Sequence, residues 1–176
     1  MIKRSENASV TNQNHEDAQF EPYQQVSRLC LFFEAKNIDN YQKILSFVSV
    51  VKGEIKKVDT LVFYRGKLPE SVSDTESLHL VGKKDFNLFK QKSASLREWL
   101  KTHDFDMLIS FAHENQKKNE GIIKDVKARI KVGPNFSEPG QYFDISIGKP
   151  GEEEEFGEFY KQVKHYFSQL NIKLNV

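Results

Sequence analysis

The chain has 176 residues, a length suited to one domain of roughly 100–200 residues, and its 26 Lys and Arg against 25 Asp and Glu leave a net charge of +1. That balance argues against a dedicated nucleic-acid binder, whose phosphate contacts need a clear positive excess. One cysteine excludes an internal disulfide framework and a cysteine-built zinc site, and no run approaches the ~18 apolar residues of a membrane span or forms a secretory h-region.

Residues 1–25 carry seven apolar residues with no period of 2 or 3.6, too few to offset ordering entropy, so a disordered polar tail is expected. Residues 26–176 then form a single domain. Leu29 to Ala35 (LCLFFEA) is a nearly continuous apolar run, as in a strand covered on both faces. A helix follows from about Ile38 to Val51, with Asn37 as N-cap, Ile38, Tyr41, Leu45 and Val48 on one stripe, and Gly53 as the stop. Thr60 to Tyr64 is a second strand, rich in β-branched and aromatic residues. After a polar stretch, Leu78 to Val81 reads as a short third.

Asp85 is placed to cap a helical turn holding Phe86, Leu88 and Phe89. Ser95-Leu-Arg-Glu98 has the capping-box pattern and opens a helix whose stripe continues through Trp99, Leu100 and His103, read as a core histidine. Asp106 to Phe111 is the fourth strand. A charged helix from about Asn115 to Lys127 buries Ile122, Ile123 and Val126. Arg129 to Val132 and Phe143 to Ile147 are strands five and six. Residues 133–142 between them are too short and too rich in Gly and Pro for a helical crossover, so strand six is expected at an edge, antiparallel or irregularly connected. Phe156, Phe159, Tyr160, Val163, Phe167 and Leu170 share one face of a last helix. Its acidic start, Glu152 to Glu155, suits the helix dipole.

Strands spaced by helices indicate an α/β fold: a three-layer Rossmann-like sandwich, with a mainly parallel sheet of five to six strands and helices on both faces. The usual phosphate signatures are missing. LFFEAKNIDNYQ contains no glycine, which disfavours a dinucleotide site, and Gly66-Lys67 and Gly82-Lys83 lack the rest of a P-loop. His113-Glu114 opens like a zincin motif, but Lys117 stands where the second His would be. Cys30 inside the first strand reads as an inert thiol. Lys117, Lys118, Lys124, Lys127, Arg129 and Lys131 have no interleaved aromatic and read as a solvated helix face rather than a nucleic-acid patch.

In open α/β sheets, ligands bind outside the carboxyl ends of the strands. That rule selects Glu34, Lys36 and Asp39, then Arg65, then Lys83, Lys84 and Asp85, then His113, Glu114 and Asn115, and finally Gly133. Arg65, Lys83, Lys84, Asp85, His113, Asn115 and Gly133 are the candidates for holding a small anion. No cofactor or metal is expected.

Residues 105–136 (FDMLISFAHENQKKNEGIIKDVKARIKVGPNF) resemble the N-terminal half of the heptosyltransferase-type bacterial glycosyltransferases of the GT-B class. Phe105-Asp106, Ala128-Arg129 and Val132-Gly133 stand at that family's motif positions, and Gly148-Lys149-Pro150 with the last helix looks like the close of that half. The chain also resembles a small family of uncharacterised bacterial proteins with a Lys-Asp-Phe-Asn element, here Lys84 to Asn87. The glycosyltransferase resemblance implies a catalytic base, carried in that family by a Gly-Asp pair in the first strand–helix loop. Here Asp39 falls there beside Ile38. It also implies a second Rossmann-like domain for the nucleotide-sugar, and the chain ends where that would begin, so independent catalysis is not expected. The resulting expectation is a cytoplasmic domain that binds a small anion, a protein partner or a second copy, with no membrane or nucleic-acid partner. The alternative is a reduced transferase acting on a nucleotide-sugar or phosphorylated substrate with Asp39 or His113 as base.

Overall fold

A computed structural model of the protein describes residues 26–67, 72–89, 91–112, 117–135, 142–148 and 156–169. The expected tail, residues 1–25, lies outside them. The elements follow in the order β1 (Arg28–Ala35), α1 (Ile38–Lys52), β2 (Lys57–Tyr64), β3 (Leu78–Val81), a 3₁₀ turn (Lys83–Asp85), α2 (Ala94–Thr102), β4 (Asp104–Ser110), α3 (Lys117–Asp125), β5 (Lys127–Pro134), β6 (Ile145–Ile147) and α4 (Phe156–Gln169).

The six strands form one sheet in the order β3-β2-β1-β4-β5-β6, and every pairing is parallel. Alternation along β1 separates two cores. Leu29, Leu31 and Phe33 point to one face, where Tyr41, Ile44 and Val48 of α1 and Phe159, Val163 and Phe167 of α4 cover them. Cys30 and Phe32 point to the other, beneath Leu96 and Leu100 of α2 and Ile122 and Ile123 of α3. With both faces covered, β1 and β2 need apolar residues at nearly every position, which is why their sequences read as runs. The three-layer parallel sandwich expected from the sequence is the fold observed.

Several local expectations change. Helix α1 has Asn37 as its cap, its side chain accepting from the Asn40 amide at 2.8 Å, but its buried line is Tyr41, Ile44, Val48 and Val51, while Ile38 is exposed. The cap of α2 is Ser93, whose hydroxyl accepts from the Leu96 amide at 3.2 Å, whereas Ser95 meets the Ser93 hydroxyl instead. Asp85 ends the 3₁₀ turn rather than opening one, and Leu88 and Phe89 lie beyond it in the loop. Strand β6 is at the edge, as expected, but runs parallel to β5. Three residues pair with the carboxyl end of β5, Val132 with Ile145 through Pro134 with Ile147. At ~3.3 Å per residue the chain has to return by only ~10 Å, so ten residues suffice without a helix. His103 is half-buried at the end of α2, stacked on Trp99 with ring centroids 4.4 Å apart, its Nδ1 2.8 Å from the Trp99 carbonyl.

A candidate anion site at the carboxyl edge of the sheet

The chain leaves β1 into α1 on one face and leaves β4 into α3 on the other, so the carboxyl ends of these neighbouring strands form the switch point of the sheet. Glu34, the second-last residue of β1, sits there and is only 4% exposed. A carboxylate in such a place needs partners. Arg65, just after β2, forms an ion pair with its Oε1. From α3, Asn119 donates its Nδ2 to Glu34 Oε2 at 3.1 Å. Asn119 is itself 1% exposed, and its Oδ1 is buried with no hydrogen-bond partner among the described residues. Nothing in the candidate set pointed to Asn119. Its spacing of three and four from Ile122 and Ile123 puts it on the buried stripe of α3, and that was the available signal.

Beside this cluster, at the carboxyl ends of β2 and β3, a cleft of about 470 Å³ is lined by Gly66, Lys67, Gly82, Lys83 and Lys84. None of these five residues is acidic. The three lysines are exposed, and none is in an ion pair among the described residues. Asp85 holds the loop that presents two of them. It is 7% exposed, and its Oδ2 accepts from the Gly82 amide at 2.8 Å. Its Oδ1 accepts from the Ser93 hydroxyl at 3.2 Å and its carbonyl from the Ser93 amide at 2.7 Å.

The remaining expected positions fall elsewhere. Arg65 is tied to Glu34, so its charge is balanced beneath the rim. Gly133 lies in β5 against the Phe143 ring, where any Cβ would collide with that ring. Asp39 is exposed in the first turn of α1, where the dipole favours it. His113 and Asn115 lie outside the described residues.

Two other features bear on chemistry. Asp74 Oδ2 lies 2.7 Å from His79 Nδ1, and Ser73 and Ser95 line the same cavity of about 310 Å³. Neither hydroxyl bonds to the ring, and His79 Nε2 is buried without a partner among the described residues, which therefore do not assemble the relay that activates a serine. Cys30 is fully buried, and burial together with the nearby Asp59 charge pushes its thiol well up, which disfavours the reactive thiolate. Among the described residues no three His, Cys, Asp or Glu side chains cluster as a metal site. None of their helices is long and apolar enough to cross a membrane.

The model of a family of unknown function (DUF6913) matches residues 1–170. No curated protein matches. Among solved structures, the chain is similar to E. coli heptosyltransferase WaaC with ADP, at 10% identity and a TM-score of 0.49, over 80% of this chain and 46% of that one. It is likewise similar to the same enzyme with ADP-2-deoxy-2-fluoro heptose, at 11% identity and a TM-score of 0.49, over 80% and 47%. The chain spans less than half the length of these structures.

Proposed function

Because the chain belongs to that family of unknown function (DUF6913), its role has to be read from its own surface, and we propose that it is a binding domain for a small anion, without independent catalysis. One observation carries this reading. Lys67, Lys83 and Lys84 converge with two glycines on a cleft whose lining among the described residues includes no acidic side chain, at the end of a parallel sheet where ligands are usually held. Lysine ammoniums are point charges that suit phosphate or carboxylate oxygens, and glycines let such a group come near the backbone. Asp85 supplies order: its bonds to Gly82 and Ser93 keep Lys83 and Lys84 in place without placing its carboxylate in the cleft.

Inorganic pyrophosphate is the simplest probe. Calorimetric titration at low ionic strength is expected to show saturable binding, and K67Q/K83Q/K84Q is expected to weaken it about tenfold or more, the equivalent of one or two charge-assisted hydrogen bonds. Absence of saturable heat with the unaltered protein, or equal binding by the triple variant, would overturn the reading.

A further inference from the structure

Leu88 and Phe89 are 98% and 84% exposed, the most exposed large apolar side chains among the described residues. They sit together at the tip of the loop between the 3₁₀ turn and α2. That loop is strongly tied to itself. Asn87 Oδ1 accepts from the amides of Phe89 and Gln91, both at 2.9 Å. The Asn87 amide donates to the Gln91 carbonyl at 3.0 Å, and Asn87 Nδ2 donates to Gln91 Oε1 at 2.9 Å. Phe86 and Lys92 close the base as an antiparallel bridge. The tip therefore displays two apolar side chains on a backbone whose amides at Phe89 and Gln91 are already satisfied. Lys83 and Lys84 stand at its root, exposed and without an ion-pair partner among the described residues.

We propose that this tip inserts into the headgroup–acyl boundary of an anionic lipid bilayer while Lys83 and Lys84 meet lipid phosphates. The proposal rests on the anion reading of the lysine cleft and names the source of the anion. Two features favour a lipid surface over a protein groove. Two side chains cover far less than the ~800 Å² per partner of a stable protein interface, yet peripheral attachment is built from such a small apolar insertion added to a cationic patch. The bonds already made by the Phe89 and Gln91 amides also lower the number of donors stranded when the tip leaves water. A surface contact of this kind needs no spanning helix, so it departs from the expectation of no membrane partner without conflicting with its basis.

The test is co-sedimentation of the full chain with vesicles of phosphatidylcholine, alone or mixed with phosphatidylglycerol. Association with the anionic vesicles only is expected. L88S/F89S should weaken it about tenfold or more while leaving pyrophosphate titration unchanged; K83Q/K84Q should weaken both. The emission of F89W should shift to the blue on the anionic vesicles. No association with anionic vesicles, or equal association by L88S/F89S, would overturn the proposal. So would a concentration-dependent dimer that L88S/F89S abolishes, since the tip would then belong to a second copy. If pyrophosphate binds and vesicles do not, the cleft takes a free anion and only the lipid proposal falls. If pyrophosphate gives no heat while the vesicle results hold, the cleft reading falls and the tip stands.

Discussion

Glu34 ends an otherwise apolar strand, and its carboxylate can leave water only because Arg65 and Asn119 meet it. Removing one partner strands the other. Arg65→Leu is therefore expected to cost about 3 kcal/mol, read from urea unfolding, whereas Glu34→Leu/Arg65→Leu should recover a large part of that loss. A double variant as unstable as the single one would mean that Arg65 acts through some other contact. At this scale the sequence was partly legible. The strand-end rule brought Arg65 and Glu34 to notice, but it assigned Arg65 outward to a ligand, since nothing in a linear sequence shows that two side chains 31 residues apart neutralise each other. Lys83 and Lys84 were visible as strand-end cations. Lys67 lies three positions past the end of β2, where the strand-end rule no longer singles out a residue, and only the folded loop brings it to the same group.

Among the elements, β1 and β4 are joined at their amino ends by Asp106. Its Oδ2 accepts from the Ser27 amide at 3.0 Å, the Ser27 hydroxyl at 2.9 Å and the Arg28 amide at 2.9 Å, and Arg129 lies 3.8 Å from its Oδ1. Asp106, from the Phe105-Asp106 pair that carries the glycosyltransferase resemblance, thus acts here as a clamp between strands. Burial pushes the Asp106 carboxyl up, but the bonds from Arg28 and Ser27 and the charge of Arg129 together more than offset it, so the group lies below the ordinary range. A carboxyl held low in the folded state stabilises fully above its unfolded value, about 3.9, and loses that contribution as pH falls through the folded value. Asp106→Asn is expected to cost about 1–3 kcal/mol at neutral pH, and its deficit should narrow as pH drops below about 4. A constant deficit across that range, measured by urea unfolding, would contradict the clamp. The strands and helices themselves were legible because each has a strong period or run. Where reading faltered, the choice lay between near-equivalent local signals, Ser93 or Ser95 as cap, or depended on pairing, as with the direction of β6.

The molecule as a whole is almost neutral, yet Lys67, Lys83 and Lys84 gather at one rim, none of them in an ion pair among the described residues. Ionic strength should separate the two consequences. Raising salt from about 0.01 to 0.15 M shortens the screening length from about 30 to 8 Å, so pyrophosphate affinity should fall several-fold while the thermal midpoint hardly moves. The core is apolar, and exposed pairs such as Lys161–Glu158 and Lys124–Glu120 contribute little. A midpoint that tracked the affinity would instead tie the rim to folding.

The position of β1 also orders events in time. It lies between β2, which follows it directly, and β4, whose clamp residue is 79 positions beyond Ser27. During synthesis β1 can pair with β2 early, but its other side stays an open edge of Leu, Phe and Cys until β4 has left the ribosome. Closing so long a loop is slow, and an apolar edge left waiting is prone to pair with the wrong chain. Yield of native protein in a cell should then be limited by the arrival of β4, and by whatever shields β1 until it comes.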